Sequence, residues 1–125
     1  MAGGALGSLL RHLIAAWVAV RFGETFPWGT LLVNVFGSFG IGIFAGLTTD
    51  GGMILAPPVL RMFVMVGIFG GFTTFSSFSL QTLSLVQDGE FLAAGGNILS
   101  SLILCLAAVW AGHTVALALN NLSLR

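Results

Sequence analysis

The run from Met62 to Gln87 carries no charged residue and is long enough to cross a bilayer, yet its centre is poorly suited to a helix. A spanning helix needs about 20 mostly apolar residues. In lipid, every backbone polar group must also find a partner within the protein. The middle of this run reads Gly67-Ile-Phe-Gly-Gly-Phe-Thr-Thr-Phe-Ser-Ser-Phe-Ser79. Glycine and β-branched threonine are weak helix formers, so the span is expected to be broken near its centre. Broken backbone at membrane depth is tolerated where it is buried in protein or lines a wet cavity. Close helix packing through small residues is the plainer explanation. It leaves two phenylalanines and five hydroxyls between Thr73 and Ser79 without a use.

The rest of the chain has the same character. Of its 125 residues, 57% are hydrophobic and only 6% charged, where soluble domains carry about 25% charged residues. The chain therefore reads as an all-α integral membrane protein. Its single domain, residues 1–125, holds four spans, at about residues 3–22, 28–48, 58–87 and 91–117. Glu24, Pro27 and Trp28 mark the first connection, Asp50-Gly51-Gly52 and Pro57-Pro58 the second, and Asp88-Gly89-Glu90 the third. A short polar end, Asn120 to Arg125, follows the fourth span. The N-terminus lacks a charged start and a cleavage site, so it does not read as a removed signal peptide. Zero net charge and the absence of lysine argue against nucleic acid as a partner. Cys105 is the only cysteine, and no His/Cys spacing suggests a metal site. No nucleophile–base pair suggests an enzyme.

Four spans joined by short connections are too small to enclose an aqueous path alone, so an oligomer, most simply a homodimer, is expected. With four spans, Arg61 and Arg125 fall on one side and Arg21 on the other. Orientation follows Lys/Arg asymmetry, and two against one is nearly none. Insertion in both orientations, and an antiparallel dimer, are compatible with that count, as is a single orientation set by the insertion machinery.

Polar residues inside the spans are the candidates for function. Asn34 lies mid-span with Thr30 and Ser38 on the same face and Gly37 beside them. An amide in hydrocarbon is costly without partners, so it either donates to something passing or makes an interhelical bond. Asn97, Ser101 and Cys105 form a second stripe at four-residue steps, with Ser100 adjacent. Phe75 and Phe78 share a helical face, and ring edges carry partial positive charge. Edges, hydroxyls and amides together describe a site for a small hydrogen-bond-accepting anion, whereas ordinary core packing is the bland reading of the pair. Arg11 is the one charge well inside a span, suited to a structural or vestibule role. His12 and His113 are isolated and read as structural. Gly3/Gly7, Gly42/Gly46 and Gly67/Gly71 are small-xxx-small pairs that indicate packing.

Three segments together resemble a known family. Gly3-Gly-Ala-Leu-Gly-Ser-Leu-Leu-Arg11, Thr30-Leu-Leu-Val-Asn34-Val-Phe-Gly-Ser38 and Gly70-Gly-Phe-Thr-Thr-Phe-Ser-Ser-Phe-Ser79 are similar to signature segments of the Fluc/CrcB fluoride channels. The resemblance implies a dual-topology, antiparallel homodimer in the plasma (inner) membrane of a bacterium. Two pores per dimer would export fluoride passively from the cytoplasm. It also implies Asn34 as the pore asparagine and Phe75 and Phe78 as the pore-lining aromatics, with Ser38 also at the pore and Asn97, Ser101 and Cys105 along the polar track of the fourth helix. A structural Na⁺ at the dimer centre would be held by main-chain carbonyls of Gly70 and Thr73. Members of the family can carry a tyrosine on the fourth-helix track, and this chain has none.

Two alternatives compete. A small proton-coupled multidrug exporter would use a carboxylate within the membrane, but Glu24, Asp50, Asp88 and Glu90 all fall at connections. A non-transporting assembly subunit fits the glycine pairs and leaves Asn34, Phe75 and Phe78 without a purpose.

Overall fold

The computed structural model describes residues 1–23, 26–49 and 51–123. Glu24, Asp50 and Arg125, on which the reading of the connections and of orientation partly rests, lie outside the described residues. Every regular element among the described residues is helical. Helix α1 spans Ala2–Phe22 and α2 spans Trp28–Leu47. The third span comprises α3 (Pro58–Arg61), a π-helical stretch (Met62–Phe69), α4 (Gly70–Phe72) and α5 (Phe75–Gln87). Helix α6 covers Phe91–Ser123. Four of these segments are long and apolar enough to cross a membrane.

Local chemistry sets several ends. Pro58 occupies the first turn of α3, where its missing N–H is not needed. Helix α5 closes on Gly89 at φ 77°, with the Glu90 amide bonded to the Leu85 carbonyl and the Gly89 amide to Val86. This Schellman arrangement needs the left-handed conformation that glycine adopts without strain. Helix α6 continues to Ser123, beyond the apolar stretch that ends near Leu117. The polar end is thus helical as far as Ser123, and Asn120 is buried in it. Asn120 accepts from the Met53 amide at 2.7 Å and donates to the Gly46 carbonyl at 3.0 Å, tying α6 to the end of α2 and the connection after it.

The helices meet through glycine. Helix α2 packs most extensively on α6. A Cβ added at Gly42 would strike the Val109 carbonyl, and one at Gly112 would strike the Phe39 carbonyl. On the opposite side, Gly3 and Gly7 of α1 lie against Phe63, Gly67 and Ile68, while Gly71 lies against Gly4. Apolar burial gives helices little reason to associate in lipid, so close backbone contact supplies dispersion instead. These small-residue pairs are packing surfaces.

Where the third span passes α2, two residues leave helical conformation. Thr73 has φ −83° and ψ 157°, and Thr74 has φ −151° and ψ 120°. Gly70 and Gly71, by contrast, lie within the short helix α4. The residues that leave the helix are therefore the threonines, and glycine serves another purpose here: Gly71 admits the backbone of α1.

A cleft built around two extended threonines

Thr74 is held at each of its polar groups. Its amide donates to Asn34 Oδ1 at 2.8 Å, and its carbonyl accepts from Asn34 Nδ2 at 3.0 Å. Its hydroxyl accepts from the Ser77 amide at 3.2 Å and so caps the start of α5. Threonine is a preferred N-cap because its oxygen satisfies an amide that the helix cannot. The mid-span Asn34 thus repairs the backbone of another span, forty residues away in sequence. The pairing fixes its amide orientation, because an N–H needs the oxygen and a carbonyl needs the nitrogen. One of the two Nδ2 hydrogens is used in this way.

Thr73 is seated differently. Its amide and its hydroxyl both donate to the Phe69 carbonyl, each at 2.9 Å. Its methyl group fills the space that the missing side chain of Gly37 leaves on α2. In an uninterrupted helix the Thr74 amide would bond to the Gly70 carbonyl, and the Ser77 amide to that of Thr73. Both amides are engaged elsewhere, with Asn34 and with the Thr74 hydroxyl. The carbonyls of Gly70 and Thr73 are thereby released from their helical partners.

Around these residues lies an open cleft of about 570 Å³ between α2, the third span and α6. Its lining brings together Asn34 and Ser38 of α2, Gly70 and Thr73 beside the interruption, Phe75 and Phe78 of α5, and Ser101 and Cys105 of α6. The Phe75 and Phe78 rings are tilted by 48° with centroids 5.4 Å apart. That spacing suits edge-to-face contact. Phe75 is 78% exposed within the single chain.

Other singled-out residues lie apart. Thr30 shares a face with Asn34 but is buried against a second, smaller cavity that also touches Gln81 and Asp88. Asn97 is only 1% exposed and does not line the cleft; its Nδ2 donates to Thr82 Oγ1 at 2.9 Å. Arg11 is half-buried on α1, on the face that carries Gly3 and Gly7, and does not line the cleft either. His12 and His113 are exposed. No motif in the sequence marks Thr74, Thr82 or Asn120 for a separate role. The only signal at Thr74 was its place at the head of a polar stretch three residues before Ser77, the spacing of a helix cap.

Residues 1–113 match the family model described as CrcB-like protein, Camphor Resistance (CrcB). The chain is 60% identical over 120 residues to a protein of Opitutus terrae named fluoride-specific ion channel FluC, covering 96% of this chain and 91% of that one. Proteins of the same name from Methylocella silvestris and Paramagnetospirillum magneticum are 53% and 54% identical. These matches cover 98% and 95% of this chain, and 93% of each relative.

Proposed function

The chain belongs to the CrcB-like family, and on that premise we propose that it is a multi-pass membrane protein that conducts fluoride. The observation that carries this reading is the cleft, where an asparagine amide, serine hydroxyls and two tilted phenylalanine rings converge on extended backbone. The relatives named as fluoride-specific channels support the choice of ion. Ion conduction, rather than an enzymatic reaction, is the activity these residues serve.

Fluoride is small and strongly hydrated, so a path must replace the water hydrogen bonds it strips away. The second Nδ2 hydrogen of Asn34 and the hydroxyls of Ser38 and Ser101 are donors of the required kind. Ring edges of Phe75 and Phe78 add partial positive charge without a full charge that would hold the ion fast. Arg11, half-buried on α1, raises the local anion concentration near an entrance or ties the helices together.

The finer features follow from the resemblance and find support here. The cleft is open along one side of the protomer and Phe75 is largely uncovered, which suits closure by a second copy in an antiparallel homodimer with two pores. The carbonyls of Gly70 and Thr73, freed from helical partners, fit a hard cation. Bound Na⁺ would neutralise those dipoles at the centre of the dimer. Passive export across a bacterial inner membrane is the physiological direction we assign. Asn97, buried away from the cleft lining, acts behind the path rather than along it.

Liposomes reconstituted with the purified protein test the reading, with electrodes selective for fluoride and for chloride. Rapid release of fluoride with chloride retained is expected. No release of either ion from a folded dimer in Na⁺ would overturn it.

A further inference from the structure

Asn97 is the most buried polar side chain among the described residues, and its bonds link two parts of the cleft it does not touch. Its Nδ2 donates to Thr82 Oγ1 at 2.9 Å, and the Thr82 hydroxyl donates to the Phe78 carbonyl at 2.8 Å. On the other side, the Ser101 hydroxyl donates to Asn97 Oδ1 at 3.5 Å. The path therefore begins at a cleft-lining side chain of α6 and ends at the main chain of a cleft-lining residue of α5.

Its direction is fixed by counting protons. Thr82 has one hydroxyl hydrogen, which goes to Phe78, so it can only accept from Asn97. That turns Nδ2 toward Thr82 and leaves Oδ1 for Ser101. A threonine bonded back to the carbonyl four residues earlier tends to bend its helix. Here that bond falls on the turn that carries Phe78, and Asn97 grips the hydroxyl that makes it. The Ser101 bond, by contrast, lies at the outer limit of hydrogen-bond distance and is easily exchanged.

We propose that Asn97 is a positioning residue for the fluoride path: through Thr82 it sets the Phe78 turn against α6, and through its weak bond it orients the Ser101 hydroxyl while leaving that proton free to transfer its hydrogen bond to an anion. The inference rests on the cleft being that path. Because Asn97 is enclosed within one protomer, the arrangement does not depend on a second copy. Supporting side chains of this kind hold functional groups to within about 0.5 Å of working geometry.

The test removes the link without touching the cleft lining. Thr82→Val is nearly isosteric and has no hydroxyl, whereas Thr82→Ser retains it. Each is reconstituted beside the unaltered protein, with fluoride and chloride efflux, dimer content and thermal unfolding measured together. A 4-fluorophenylalanine label at position 78 reports ring environment by ¹⁹F NMR, and the same label at exposed position 22 serves as control. Thr82→Val should conduct fluoride at least tenfold more slowly per dimer, with the label at 78 shifted and that at 22 unmoved. Thr82→Ser should stay within about twofold and keep the original shift. If Thr82→Val does not fold, Thr82→Ala is read in the same way. A hydroxyl-free variant that melts earlier yet conducts normally, with an unmoved label, would overturn the proposal and leave Asn97 as an interhelical staple. Absence of fluoride flux from the unaltered protein would instead overturn the channel reading, and this inference with it.

Discussion

Of the neighbours that helix α2 packs against, α6 and the third span are joined to it by different means. Against α6, Gly42 and Gly112 bring main chain onto main chain, and the Asn120 side chain bonds across to Gly46 at the far end of the seam. Against the third span, Asn34 reaches across to grip Thr74 at two atoms. Glycine contact suits intact helices, whose backbone groups are already paired, so only dispersion remains to be gained. A side-chain amide suits a place where backbone groups have lost their helical partners. The difference separates a seam that holds the bundle from the cleft proposed as the ion path.

The largest expected effect lies in the seam. Gly42→Leu or Gly112→Leu places a branched side chain where even a Cβ meets a carbonyl. Overpacking of this kind costs about 1–3 kcal/mol or more, and here the obstacle is backbone that cannot rotate away. Each variant should yield little folded protein on size exclusion, and a normal yield would show that the seam is looser than described.

The next effect belongs to the cleft. Asn34→Asp keeps the shape of the side chain but removes the donor to the Thr74 carbonyl and places an acceptor on the proposed anion path. Fluoride efflux should fall below detection. Normal efflux would reduce Asn34 to packing and erase the contrast between the two regions. Phe75→Ile and Phe78→Ile should leave the dimer intact and slow fluoride efflux at least tenfold, because an aliphatic side chain has no positive edge. Undiminished flux in the purified double variant would remove the rings from the mechanism.

The smallest effect sharpens the comparison. Asn120→Ala breaks two bonds at the far end of the α2–α6 seam, to Met53 and to Gly46. Leaving such groups unpaired costs about 1–3 kcal/mol. The melting temperature should drop while flux per folded dimer stays unchanged. A loss of flux at full stability would show that this end of the seam communicates with the cleft.

The family could be read from three segments, and the four apolar spans from hydropathy. What could not be read was the division of labour within a polar stripe. Asn97, Ser101 and Cys105 are spaced alike, yet Ser101 and Cys105 line the cleft while Asn97 turns toward Thr82. A four-residue step advances about 400° around a helix of 3.6 residues per turn, so a stripe drifts and its members face different neighbours. Gly70 and Gly71 were equally ambiguous, since low helix propensity suits both an unwound residue and a contact point.

Membrane residence and the number of apolar helices were determined by the sequence alone, because transfer free energy accumulates residue by residue and scarcely depends on who the neighbours are. Which residues leave the helix, and which donor meets which acceptor, were decided only by the tertiary structure. Thr73 and Thr74 can be extended because Gly37 makes room for one and Asn34 satisfies the other, and both belong to a different helix. A hydrogen bond acts over about 3 Å, so its partners are settled by the fold that brings distant segments together.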